Sequence, residues 1–206
     1  MLIGLVGATG AGKTTLANLL VEREGYVRAH MGQPIKDMLA ALGLSQEELT
    51  GSPDVRKQPS SLLCGKSPRY AMETLGTNWG RRMVSPNLWA KAIEGRLLKM
   101  REQGIENIVI DDLRFPSDFD VVRRLDGTII KIVRSASNTR RTVMDHVANN
   151  VGFSRPILMA LGLKPLHESE YHWIDAPTAF KIENEDGPEA MLAAFRSRLS
   201  KGMQAN

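Results

Sequence analysis

Apolar positions along the chain alternate between two kinds of pattern, and the switches mark out an α/β protein. Leu2-Ile3-Gly4-Leu5-Val6 is an unbroken apolar run of strand length, the mark of a strand buried on both faces. Leu16, Leu19 and Leu20 then recur at helical spacing. Tyr26 to His30 reads as a weak second strand, and Pro34 opens a helix whose apolar face is Ile35, Met38, Leu39 and Leu42, stopped by Gly43. Ser45-Gln46-Glu47-Glu48 is a capping box for a short helix. A long loop from about Gly51 to Ser67 follows.

Pro68 opens a further helix that carries Arg69, Glu73 and, just beyond Leu75-Gly76, Thr77. Ser85-Pro86 starts another, apolar at Leu88, Ile93, Leu97, Leu98 and Met100 and stopped by Gly104. Three more strands are expected at Asn107 to Asp112, Thr128 to Val133 and Ala179 to Glu183. A helix runs from Asp118 to Leu125, and a closing one follows Asp186-Gly187-Pro188-Glu189, with Met191, Leu192, Phe195 and Leu199 apolar. Strands alternating with helices imply a sheet with helical crossovers.

Composition narrows this picture without choosing a function. A chain of 206 residues is one α/β domain, with a small lid at most. No apolar run approaches the roughly 18 residues of a membrane span, and the first strand begins too early for a signal peptide, so a cytoplasmic protein is expected. Cys64 is the only cysteine, which excludes an intrachain disulfide and a cysteine-based zinc site. The net charge of +4 suits an anionic partner but does not separate nucleotides from nucleic acid.

The chemistry enters at Gly7-Ala8-Thr9-Gly10-Ala11-Gly12-Lys13-Thr14-Thr15, which fits G-x-x-x-x-G-K-[ST] at every fixed position. It lies between a buried strand and a helix, where backbone N–H groups and the helix dipole can cradle a polyphosphate. Gly7, Gly10, Ala11, Gly12, Lys13, Thr14 and Thr15 are thus the expected nucleotide contacts, Lys13 reaching the β and γ phosphates and Thr14 ligating Mg²⁺. A dinucleotide loop would need a third glycine where Thr15 stands.

Asp111 and Asp112 end the third strand, where an acid can hold the Mg²⁺ shell; adjacent strand residues point to opposite faces, so at most one should face the site. Arg114 follows at the carboxyl edge of the sheet, either binding a ligand or neutralising the two aspartates. Arg134, Arg140 and Arg141 follow the fourth strand, as a phosphate-closing lid or as a charged helix face. Trp89, in a first helical turn, is a core anchor or a flat binding wall. His167 and His172 are five apart, about 140° around a helix, which excludes the H-E-x-x-H zinc motif.

The order of these elements resembles the deoxynucleoside monophosphate kinases of tailed bacteriophages, within the P-loop kinase superfamily. Besides the phosphate loop, Gln33-Pro34-Ile35-Lys36 is similar to that family's D-P-[IL]-K, and Pro68-Arg69 with Leu75-Gly76-Thr77 to its P-R…Q-x-x-G-T. Asp112-Leu113-Arg114-Phe115-Pro116 is similar to D-V-R-F-x-x-E, and His167-Glu168-Ser169-Glu170 to H-x-S-E. The resemblance implies a P-loop kinase fold: a parallel five-stranded sheet flanked by helices, a lid at about 134–166 and a helical acceptor-binding region at about 31–104. It also implies ATP and Mg²⁺ as cofactors, with Thr14 and Asp112 at the metal, and a deoxynucleoside monophosphate as acceptor. Lys36, Arg69, Glu73, Gly76, Thr77, Trp89, Asp112, Arg114 and Asp118 would surround that acceptor, Trp89 as a wall. Lys13, Arg114, Arg134, Arg140 and Arg141 would stabilise the transferring group.

Glu73 stands where the family often has Gln and Asp118 where it has Glu, so base preference is left open. A homodimer is implied in the same way, and the expected cytoplasm is the host's if the chain is phage-encoded; neither a membrane nor a nucleic acid is expected as partner. The competing readings are another small-molecule P-loop kinase, such as one acting on dephospho-coenzyme A, and a non-catalytic or DNA-associated nucleotide-binding protein. The latter lacks the interleaved basic and aromatic tract that single strands require.

Overall fold

The computed structural model describes residues 1–134 and 172–203. The chain divides into two compact units, residues 1–29 with 105–206, and residues 30–104. The first is built on five parallel strands: β1 (Leu2–Val6), β2 (Val27–Ala29), β3 (Ile108–Ile110), β4 (Thr128–Val133) and β5 (Phe180–Glu183), in the order β2-β3-β1-β4-β5. β1 is central and wholly buried, as its unbroken apolar run requires. It pairs Leu2 with Ile108 on one side and Ile3 with Thr128 on the other.

Among the described residues, three helices of this unit flank the sheet: α1 (Lys13–Glu24), α6 (Pro116–Arg124) and α7 (Pro188–Met203). Leu16, Ala17, Leu19 and Leu20 bury the inner face of α1. Exposed Arg23–Glu189 and Arg196–Glu24 ion pairs join α1 to α7. Beneath them Tyr26 meets Phe195 edge to face, ring centroids 6.3 Å apart. Gly4 leaves room on β1 for Leu113 and for Val122 of α6.

The second unit is helical: α2 (Gln33–Ala41), α3 (Gln46–Thr50), α4 (Pro68–Glu73) and α5 (Leu88–Glu102). Its small core is Leu39, Leu44 and Leu49, with Ile35, Leu63, Met72 and Leu75 packed against it. Met38 and Leu42, expected on the apolar face of α2, are exposed because that core is too small to cover them. The capping box of α3 forms as its spacing predicts, Ser45 and Glu48 exchanging hydrogen bonds.

After α4 the chain stays helical past Gly76. It continues as a wide-turned π-helix from Thr74 to Val84, closed by Ser85 N–H donating to the Gly80 carbonyl at 2.9 Å. Trp89 accounts for this course: its ring lies flat against Gly80, where any Cβ would collide with it, and its indole N–H donates to the Gly76 carbonyl at 2.7 Å.

Candidate active site

The phosphate loop leaves β1 at Gly7, whose φ of 145° and approach to the Ile132 carbonyl suit no residue with a side chain. Gly12, at φ 108°, caps α1 in a left-handed conformation with no side chain of its own to satisfy the first turn. The helix start therefore presents backbone donors and its positive dipole end to the loop, with no acidic side chain in the first turn to compete. Lys13 folds back over the loop, its Nζ donating to the Gly7 and Ala8 carbonyls at 2.8 and 2.9 Å. From beyond β5, Asn184 Nδ2 donates to the Ala11 carbonyl at 2.8 Å, fixing the loop from the outside. Nothing in the sequence pattern pointed to Asn184, because its partner lies 173 positions away.

Thr14 Oγ1 donates to Asp111 Oδ2 at 2.9 Å. The carboxylate that meets Thr14 is thus Asp111, which is buried, and not Asp112, the residue expected with Thr14 at the metal. The alternation expected along a strand does not apply to the two aspartates. β3 ends at Ile110, so the two aspartates follow the strand, and each offers a carboxylate oxygen within 4.8 Å of the other's. Arg28 on β2 grips Asp111 from the far side, Nε donating to Oδ1 at 3.1 Å and Nη2 to Oδ2. Its Nη1 donates to Asn18 Oδ1 at 2.8 Å, tying β2 to α1. The oxygens of Thr14 and Asp111 are hard donors of the kind Mg²⁺ prefers.

Other expected residues are placed differently. Asp118 is 1% exposed, and its Oδ2 accepts from the Arg114 and Phe115 backbone N–H groups, both at 3.0 Å. It caps α6 rather than lining a ligand site, and it fixes the backbone that carries exposed Arg114. Trp89 is 4% exposed, packed against Gly80 and bonded to Gly76 within the helical unit, so it is an anchor and not the wall that the resemblance implied.

In the same unit Arg69 Nε bonds Glu73 Oε1 at 2.8 Å across one turn of α4, both side chains exposed; Lys36 and Thr77 are half-buried and Gly76 is buried. A groove of about 340 Å³ is lined by Tyr70, Thr74, Leu75 and Trp79 among others, and by none of the expected acceptor residues. Arg134 follows β4 and is exposed; Arg140, Arg141 and most of the expected lid lie outside the described residues. Lys131, the register partner of Val6, donates to the Ile174 carbonyl over the Trp173 ring, and burial lowers its pKa.

Residues 65–152 match the family model described as deoxynucleotide monophosphate kinase. The chain is 32% identical over 143 residues to an Acanthamoeba polyphaga mimivirus protein named "Putative deoxynucleotide monophosphate kinase", covering 65% of this chain and 74% of that one. The chain belongs to the deoxynucleotide monophosphate kinase family. Among solved structures it is similar to shikimate kinase from Aquifex aeolicus (TM-score 0.48, 15% identity, all of both chains covered). Dephospho-CoA kinase from Campylobacter jejuni is also similar, at a TM-score of 0.48 and 15% identity, with 98% of this chain and 95% of that one covered.

As a member of the deoxynucleotide monophosphate kinase family, the chain is a kinase with the P-loop kinase fold: a five-stranded parallel sheet flanked by helices, with the phosphate loop after its central strand. The family match takes in Arg69, Glu73, Gly76, Thr77, Asp112 and Arg114 but not the phosphate loop, so the two lines of argument rest on different residues. No helix among the described residues is long and apolar enough to cross a membrane.

Proposed function

We propose that the chain transfers the γ-phosphoryl group of ATP to the 5′-phosphate of a deoxynucleoside monophosphate, giving ADP and the deoxynucleoside diphosphate. The observation that carries the donor half is the phosphate loop with Lys13 held inside it and Thr14 bonded to Asp111. Family membership supports the acceptor half. Gly7, Gly10, Ala11, Gly12, Lys13, Thr14 and Thr15 hold the donor phosphates in this reading. Thr14 would hold Mg²⁺, with Asp111 behind it as the acceptor of the Thr14 hydroxyl; the ion would supply neutralisation of charge on the donor phosphates.

An oxygen of the acceptor phosphate attacks the γ phosphorus while the bond to the β–γ bridging oxygen breaks and ADP leaves. That oxygen is already ionised, so no side chain need act as a base. Lys13 follows the charge that builds on the transferring group, and backbone N–H groups of the loop hold it in line. Lys36, Arg69, Glu73, Gly76, Thr77, Asp112 and Arg114 are assigned to the acceptor, and Arg134, Arg140 and Arg141 to a closing lid.

The test is ADP formation from Mg·ATP with each common deoxy- and ribonucleoside monophosphate, with Lys13→Ala as the blank. Turnover on one or a few deoxynucleotides that drops by about 100-fold or more in the blank is expected. Tight ATP binding with no turnover on any acceptor overturns the proposal.

A further inference from the structure

Asp111 is the acid that Thr14 meets, yet both of its oxygens are already engaged by a guanidinium. Arg28 Nε donates to Oδ1 at 3.1 Å and Nη2 to Oδ2, in the paired fork that arginine forms with carboxylates. Oδ2 also accepts the Thr14 hydroxyl. The pair is well covered, the Asp111 side chain being 6% exposed and that of Arg28 22%. Arg28 is itself oriented by Asn18.

We propose that Arg28 is a positioning residue that sets the divalent-cation affinity of the phosphate loop. By holding Asp111 as the acceptor of the Thr14 hydroxyl, it turns the lone pairs of Thr14 toward the cation and keeps the carboxylate from ligating it directly. A direct bond to Asp111 would need an oxygen stripped of its guanidinium donor, with a full positive charge left beside the ion. The cation is therefore held by Thr14 and the nucleotide phosphates, with Asp111 acting one step removed. It is bound loosely enough to leave with its nucleotide.

This inference rests on the nucleotide-binding half of the proposed function and not on the acceptor, so the measurement uses ADP alone. Mn²⁺, whose paramagnetism reports binding, is titrated by electron spin resonance into the full chain with saturating ADP. Wild type, Arg28→Gln and Arg28→Lys are compared, each checked by a thermal melt. Gln keeps an N–H donor without the charge, freeing Asp111 for the ion, and Mn²⁺ affinity is expected to rise about tenfold. Lys keeps the charge but has no fork, and a rise of about threefold is expected; if Arg28→Gln fails to fold, this variant decides.

Affinities within twofold of wild type in the folded variants, or a fall in affinity, overturn the proposal while leaving the nucleotide site intact. Failure of the wild-type chain with ADP to bind Mn²⁺ overturns both. A lower melting temperature without a change in Mn²⁺ affinity shows a structural pair only and overturns it too.

Discussion

At the scale of single residues, position relative to a backbone N–H or a charged neighbour matters more than residue type. Asp118 is an acid within the motif that resembles D-V-R-F-x-x-E, yet its carboxylate is enclosed and takes two backbone N–H groups. Asp118→Ala removes the acceptor of both part-buried donors and is expected to cost about 1–3 kcal/mol, read by urea denaturation. The same substitution frees the Arg114 backbone, so turnover falls further than the loss of folded protein accounts for. Trp89 separates the two readings of its ring in a similar way. Trp89→Phe removes the N–H bond to Gly76 and is expected to cost about 1 kcal/mol in the melt. The KM for the acceptor stays within about twofold, because a ring buried in the core touches no ligand; a large KM change would restore the binding-wall reading.

Among the elements, the short helix α3 shows how a local device sets stability in the helical unit. Hydrogen bonds from Ser60 and from the Ser45 backbone and hydroxyl hold the Glu48 carboxyl below its ordinary value near 4.5. A carboxyl with a lowered folded-state pKa stabilises the fold above its unfolded value. That stability is lost as the pH falls through the folded value, so the loss belongs to the range below about 4.5. Glu48→Gln is expected to flatten this acid limb of the stability profile, measured by melts between pH 7 and pH 3. Ser45→Ala removes the cap itself and is expected to cost about 1 kcal/mol at neutral pH. The π-helix after α4 has the opposite origin. No local pattern asks for it; its course follows the Trp89 ring packed against Gly80 and the carbonyl of Gly76.

For the whole molecule, the phosphate loop links ligand binding to folding. β1, β4, β5, α1 and α7 all contribute to it, through Gly7 against Ile132, Asn184 on Ala11, and Met191 beside Gly12. A nucleotide that binds only the folded chain stabilises it by about 2.7 kcal/mol at 100 times its Kd. For a chain of this size that is a rise in Tm of about 5–10 °C with Mg·ADP, and Lys13→Ala should remove most of it. The lid proposal is tested at the same scale, because it needs a segment to close over the nucleotide. Arg140→Ala and Arg141→Ala are each expected to lower kcat by about tenfold or more. Turnover unchanged in both variants would rule the lid out.

The features that the sequence determined by itself are those whose partners are close along the chain. The phosphate loop is nine consecutive residues, the α3 cap joins positions three apart, and the five strands follow from apolar runs a few residues long. The tertiary structure alone decided which acid meets Thr14, since Asp111 and Thr14 are 97 positions apart and the strand whose alternation would have separated the aspartates ends two residues early. It alone supplied Arg28 and Asn184, ordinary polar residues until the sheet brings one to Asp111 and the other to Ala11. It also turned Trp89 inward and Asp118 under its helix. Whether a side chain meets a ligand or a buried backbone group depends on what packs around it, and spacing along one segment carries no record of that.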